Sequence, residues 1–273
     1  MSNGVMDWWN NRSDEYYGGL RSQLDRLQKD PTWAFPPPIW KMIGRAFPDL
    51  RGKRVLVPSS GDNFAVFAFH LLGAAVTSSD ISERQLANAE KVAGERNWKI
   101  EFIRQDSMEF SGIHGGEYDL VYTSNGVHVW IPDLARMYGN FNRVLKADGR
   151  YIMFETHPFI RPFDDSGKDV IIDKPYEDTG PFVSVVKTGE ITEFAWRVMD
   201  IYNAMQNAGF VVTRMEEFHP GPDWYDTWFA RGQEETDEQY ARKFDWTQNP
   251  WAALPQWIGF SAKKENLYGS RRL

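Results

Sequence analysis

Apolar positions along the chain change their period several times, and each change predicts an element. Tyr17, Leu20, Leu24 and Leu27 recur at helical spacing behind Ser13, Asp14 and Glu15, which predicts a helix starting at Ser13. Prolines 36 to 38 then precede Ile39, Met42, Ile43, Ala46 and Phe47, a second amphipathic helix that Pro48 and Gly52 end. From Lys53 the pattern becomes short apolar runs alternating with helices. Strands are predicted over 54–58, 75–79, 99–104, 118–123 and 150–155, the last entered through an Asp148-Gly149 turn. Helices are predicted over 63–72, from the Ser82/Gln85 capping box to about Glu95, and from about Pro132. Residues 156–190 break the rhythm. A helix over 196–208, capped by Gly209, and strands over 210–215 and 256–262 complete the series.

Strand–helix alternation at this spacing predicts an α/β fold, a parallel sheet covered by helices on both faces. The N-terminal helices form a cap over 1–50. Residues 51–273 form the main domain, with insertions at about 156–190 and 218–254 that make a substrate lid.

Composition narrows the chemistry. Cysteine is absent among 273 residues, which excludes disulfides, thiolate metal sites and a cysteine nucleophile. No spacing among the five histidines makes a metal cluster. The longest apolar stretch, 65–76, contains His70 and Gly73 and is too short to span a bilayer. The start, MSNGVMDWWN, lacks the basic end and apolar centre of a signal peptide, so a cytoplasmic address is expected. Net charge is −7, and most of it lies between Glu216 and Asp245, where nine acids face three bases. That segment reads as a solvated helix face or loop, or more sharply as a negative rim for a cationic substrate. No basic stripe follows a phosphate backbone, so nucleic acid is not an expected partner.

In an open parallel sheet the ligand sits outside the carboxyl ends of the strands. The loop after the first strand, Pro58-Ser59-Ser60-Gly61-Asp62-Asn63, runs straight into a helix, whose backbone N–H groups face the ligand. Asp80 ends the second strand, where a carboxylate accepts from both ribose hydroxyls of a nucleoside or flanks the next helix. Asp106 follows the third strand. It either receives an adenine amino group or caps its turn through Ser107. With Ile81, Ser124 and Asn125 beside them, these residues suit an adenosine ligand. S-x-G-x-x-F at 59–64 keeps one of the three glycines of a dinucleotide fingerprint, so a pyrophosphate cannot approach closely.

Carried by RVLVPSSGDNFAVFAFHLLGAAVTSSDISERQLANA, FIRQDSMEF, YDLVYTSNGVHVWIPDLARMYGNFNRVLKADGRYIMFE and ALPQWIGFSAKK, the chain resembles class I S-adenosylmethionine-dependent methyltransferases. The UbiE-like small-molecule group is the nearest in pattern. The resemblance implies a Rossmann-like, seven-stranded, mostly parallel sheet with an antiparallel last strand. It also implies S-adenosylmethionine as cofactor, leaving S-adenosylhomocysteine, and a small O- or N-acceptor. Ser59, Ser60, Gly61, Asp62, Asn63, Asp80, Ile81, Asp106, Ser107, Ser124 and Asn125 then fall at the cofactor. Val57 stands where the family has an acidic residue, and Ser59 and Asn63 where it has glycines. Thr123-Ser124-Asn125-Gly126 replaces the N-P-P-Y motif of the nucleic-acid enzymes.

Nine of the 12 tryptophans lie before residue 41 or after 217, outside the nucleotide-binding core. Such enrichment predicts an apolar-walled acceptor pocket or a cap glued to the sheet. Tyr16, Tyr17 and Trp33 are the leading candidates for substrate contact. His128, after the fourth strand, and His157, after the fifth, stand where a base reaches an acceptor's proton; a mechanism by proximity alone stays open. Two other functions compete: a nucleotide-dependent oxidoreductase on a similar sheet, and a binding protein that kept the fold without catalysis. Oligomeric state is not legible.

Overall fold

A computed structural model describes residues 3–20, 23–164, 169–187, 189–219, 231–232 and 234–265. The strands are β1 (Arg54–Pro58), β2 (Ala75–Asp80), β3 (Glu101–Arg104), β4 (Tyr118–Thr123), β5 (Leu145–Thr156), β6 (Phe182–Val186), β7 (Gly189–Glu193), β8 (Phe210–Phe218) and β9 (Trp257–Lys264). The helices are α1 (Asn3–Leu20), α2 (Leu24–Lys29), α3 (Pro37–Ala46), α4 (Phe64–Leu71), α5 (Glu83–Glu95), α6 (Leu134–Val144), α7 (Val198–Asn207) and α8 (Asp237–Arg242). Seven strands form one sheet in the order β3-β2-β1-β4-β5-β9-β8. β9 runs antiparallel to both β5 and β8; the other pairs are parallel. The Rossmann-like sheet with its antiparallel last strand is therefore as expected.

Period-two alternation divides the core between two faces. Val55, Val57, Leu120, Tyr122, Ile152 and Phe154 pack on one side with α2, α3 and α4. Leu56, Val121, Tyr151 and Met153 pack on the other with α6 and α7. α4 is apolar on most sides because it is covered by the sheet below and the N-terminal helices above. Ala65 through Phe69 are all buried.

Three elements differ from expectation. The first helix starts at Asn3, and Ser13 lies inside it, buried, with its hydroxyl donating to Gln85 Oε1 across 3.0 Å. Its apolar stripe begins earlier than Tyr17, at Val5. The Asp148-Gly149 turn is a bulge within β5, since Tyr118 pairs with Leu145 and Leu120 with Arg150. The rhythm-breaking region 156–190 holds a short hairpin start, β6 paired with β7. Much of the second insertion, 220–230, lies outside the described residues, as do Trp224 and Trp228. Its described part carries surface ion pairs, Lys243 with Glu235 and Arg242 with Glu238, which fits a solvated acidic segment. Among the described residues no helix is long and apolar enough to cross a membrane.

Candidate active site

One cavity of about 710 Å³ opens at the carboxyl ends of β1, β2, β4 and β5. At one end it is lined by Ser59, Ser60, Gly61, Asp62, Asp80, Ile81, Asp106, Ser107, Ser124 and Asn125. Ten of the eleven residues expected at the cofactor thus meet around one space. Its volume is in the range of small-molecule sites.

The loop after β1 takes an unusual path. Ser59, Gly61 and Asn63 all have positive φ, at 49°, 52° and 61°. Such backbone favours glycine, which accounts for the family's preference at the Ser59 and Asn63 positions. Here side chains hold the turn instead. Ser59 Oγ lies 2.9 Å from Ser107 Oγ. Asn63 is fully buried, donating from Nδ2 to the Gly61 carbonyl (2.8 Å) and the Tyr17 hydroxyl (3.1 Å), and accepting from the Ser78 hydroxyl. Asn63 therefore braces the loop from beneath and does not reach the cavity, a correction to its expected ligand role. Asp62 accepts from the Phe64 N–H at the start of α4, and burial pushes its carboxyl up despite that bond.

Asp80 accepts from the Gly61 N–H through Oδ2 (3.0 Å) and from the Ser82 N–H through Oδ1 (2.8 Å). A carboxylate offers two acceptor sites on each oxygen. A third backbone donor, the Ile81 N–H, also reaches this carboxylate, and its remaining acceptor capacity is left for a ligand hydroxyl in the cavity it lines. Burial pushes the Asp80 carboxyl up to about 6, against the pull of those backbone donors. Asp106 is also pushed up by burial while accepting from the Met108 N–H at 2.8 Å. It caps its turn through the Met108 N–H, in place of the expected Ser107, and it also lines the cavity. These groups fit the adenosine part of the expected cofactor.

Much of the remaining lining is aromatic and apolar: Val5, Trp8, Trp9, Val129, Trp130, Ile131, Phe154 and Trp257, with Arg12, Arg161 and Glu193. Trp8 packs 4.8 Å from Trp9 and 5.2 Å from Trp130, centroid to centroid. The Arg12 guanidinium covers the Trp8 ring at 4.7 Å. α1 is tied to the sheet domain by polar bonds. Asn10 Oδ1 accepts from the Ser82 hydroxyl (2.6 Å), and Asp14 pairs with Arg84 (2.8 Å).

The expected substrate contacts need correction. Tyr17 is buried with its hydroxyl on Asn63, and Trp33 packs edge-on to Phe64 under the Arg26 guanidinium; neither lines the cavity. The Tyr16 side chain lies outside the described residues. Trp8, Trp9 and Trp130 line the cavity instead. Val5, Trp8, Trp9 and Arg12 share one helical face by spacing alone, a signal that a helix start at Ser13 conceals.

Both candidate bases are also corrected. His128 is buried, with Nδ1 2.8 Å from Glu155 Oε2 and Nε2 2.6 Å from the Tyr138 hydroxyl. His157 is buried too. Its Nδ1 accepts from the Phe159 N–H (3.0 Å), so the ring proton sits on Nε2 and is donated to Glu217 Oε1 (2.9 Å). Burial lowers its pKa, with Glu217 opposing. No ring nitrogen of either faces the cavity. Their shared purpose is scaffolding. Glu155, buried at the end of β5, accepts from the backbone of Gly126, Val127, His128 and Thr156 as well as from the His128 ring. Burial raises its pKa, but the His128 bond and charge, the Arg161 charge and the Gly126 N–H outweigh that and hold it low. It gathers the loop after β4, which carries Asn125 and Gly126 to the cavity. Among the described residues no cluster of three metal-ligating side chains exists.

Residues 59–149 match the family model of the methyltransferase domain. The chain is 26% identical over 215 residues to an uncharacterized methyltransferase of Bacillus subtilis (strain 168), covering 75% of this chain and 84% of that protein. It is 30% identical over 107 residues to the ubiquinone biosynthesis O-methyltransferase of Aromatoleum aromaticum (strain DSM 19018 / LMG 30748 / EbN1), across 39% of this chain and 45% of that one. In fold it is similar to an S-adenosylmethionine-dependent methyltransferase of Mesorhizobium loti, with a TM-score of 0.60 at 23% identity over 82% of this chain and 97% of that chain.

Proposed function

We propose that this chain, one of the class I S-adenosylmethionine-dependent methyltransferases, methylates an oxygen or nitrogen of a small organic molecule. The observation that carries the reading is the single cavity, polar where Asp80 and the β1 loop line it and aromatic where α1 closes it. Cofactor and acceptor share that space, and its volume of about 710 Å³ supports a small-molecule acceptor. The O-methyltransferase activity of the Aromatoleum relative supports an oxygen acceptor.

When bound, S-adenosylmethionine supplies a sulfonium methyl group, which leaves sulfur with the C–S electron pair as an acceptor lone pair forms the new bond. Asp80 would hold the ribose through its remaining acceptor capacity, and the β1 loop, Ser107 and Asp106 would hold the adenosine. Trp8, Trp9 and Trp130 exclude water and align the acceptor, the contributions on which in-line displacement depends most. Glu193, at the end of β7, is the carboxylate at the acceptor's end of the cavity and takes the acceptor's proton.

Calorimetry with S-adenosylhomocysteine, beside NAD and NADP as controls, tests the cofactor. Binding of the first alone is expected; binding of a nicotinamide dinucleotide instead defeats the reading. A metabolite extract incubated with methyl-labelled cofactor then identifies the acceptor by whatever becomes labelled.

A further inference from the structure

Arg161 is the cavity-lining cation that the adenosine part of the cofactor does not engage. It follows β5 and a single turn of 3-10 helix, Pro158–Ile160. That turn is fixed at both ends. The Phe159 N–H donates to His157 Nδ1, the Arg161 N–H donates to the Pro158 carbonyl, and Ile160 is buried against Trp251. His157 is in turn held by Glu217. The guanidinium is therefore delivered from a stiff mount.

Among the described residues the guanidinium has no ion-pair partner. Arg12, the other cavity-lining arginine, is spent on the Trp8 ring. Glu155 is the carboxylate that feels the Arg161 charge, yet its two oxygens already accept five hydrogen bonds from Gly126, Val127, His128 (twice) and Thr156. It has no acceptor site to spare. A half-buried guanidinium with a free fork, beside a wall of indoles, is complementary to a planar carboxylate.

We propose that the methyl acceptor is a small planar organic anion, its carboxylate gripped by Arg161 and its ring laid against Trp9 and Trp130. This deepens the methyltransferase reading and rests on it. The carboxylate is an anchor and not the nucleophile. A separate hydroxyl or amino group of the acceptor forms the bond to the methyl carbon, the C–S bond breaks with its electron pair going to sulfur, and the acceptor's proton leaves to Glu193. The methylated product keeps its carboxylate and its negative charge.

The experiment uses the full chain, methyl-labelled S-adenosylmethionine and a metabolite extract separated into anionic, neutral and cationic fractions. Label is expected in the anionic fraction. Once the labelled compound is purified, Arg161→Gln should raise its KM by about 10- to 100-fold while S-adenosylhomocysteine affinity stays within a factor of about two. Arg161→Lys, which keeps the charge but loses the fork, should fall between the two. Label in the neutral or cationic fraction, label in no fraction, or an unchanged KM in both variants overturns the proposal. Failure of the wild-type chain to bind S-adenosylhomocysteine overturns the underlying reading instead, so the two failures are distinct.

Discussion

The Gly61 N–H donates to Asp80 Oδ2 across 3.0 Å, so the end of the second strand holds the loop that follows the first. One carboxylate thereby shapes the loop after β1 and lines the cavity beside it. Asp80→Ala removes two charge-assisted bonds to the ribose, each about 1.5–3 kcal/mol, together with the brace on Gly61. Calorimetry should show S-adenosylhomocysteine affinity falling by about tenfold or more. Unchanged affinity in a folded variant would put the cofactor elsewhere.

Burial sets a pH signature on the same group. With its carboxyl pushed up to about 6, Asp80 is mostly ionised at pH 7 and mostly protonated at pH 5. Ribose hydroxyls donate to the ionised form, so protons compete with the ligand. Affinity should be flat above about pH 7 and fall with each unit below about pH 6, approaching tenfold per unit. Asp62 and Asp106 are also raised by burial, so the comparison with Asp80→Asn isolates this group. A variant with the same low-pH fall would reassign the effect to those two.

Glu155 gathers the loop after β4 and His128 bonds to it, and two variants test whether His128 also serves catalysis. Glu155→Gln puts an amide N–H₂ among five hydrogen-bond donors at a buried site. Denaturant titration should show a loss of about 3 kcal/mol or more. His128→Gln should also lower stability, yet cost much less in turnover than the roughly 10²–10⁴ that a general base contributes. A folded His128→Gln protein slowed by that factor would restore the histidine as base.

Asn63→Gly brings the loop nearer the family's glycine pattern and should nonetheless destabilise the protein. Relief of the 61° φ is worth about 1 kcal/mol. Against it stand the lost bonds to Tyr17, Gly61 and Ser78, which leave a buried tyrosine hydroxyl and serine without that partner. A rise in Tm would mean that the backbone strain outweighs the network.

Trp9→Ala and Trp130→Ala should raise the acceptor's KM while leaving S-adenosylhomocysteine affinity nearly unchanged, because both rings lie at the aromatic end of the cavity. Equal losses for both ligands would place these rings at the cofactor instead.

The sheet, and the strand-end residues that meet around the cavity, were legible because each depends on short stretches of chain. Alternation over five or six residues marks a strand, and Asp80 or Gly61 announces itself by its place after one. The acceptor end was harder for a physical reason. Its residues come from α1, the loop after β4, the turn after β5 and β7, and only the closed fold brings Trp9, Trp130, Arg161 and Glu193 together. Histidine at a strand end was a misleading signal. What decides whether such a ring is a base is its partners, here Tyr138 and Glu155 for one and Phe159 and Glu217 for the other. None of them can be read from the histidine's own neighbourhood in sequence, Phe159 excepted.

α1 has two duties in one rigid rod. Trp8 and Trp9 wall the acceptor, while Tyr17, two turns further along, touches Asn63 beneath the cofactor loop, and Asn10 grips Ser82 beside Asp80. Because Trp8, Trp9, Asn10 and Tyr17 ride on one helix, the wall of the cavity and the brace beneath the loop after β1 are one continuous piece of chain.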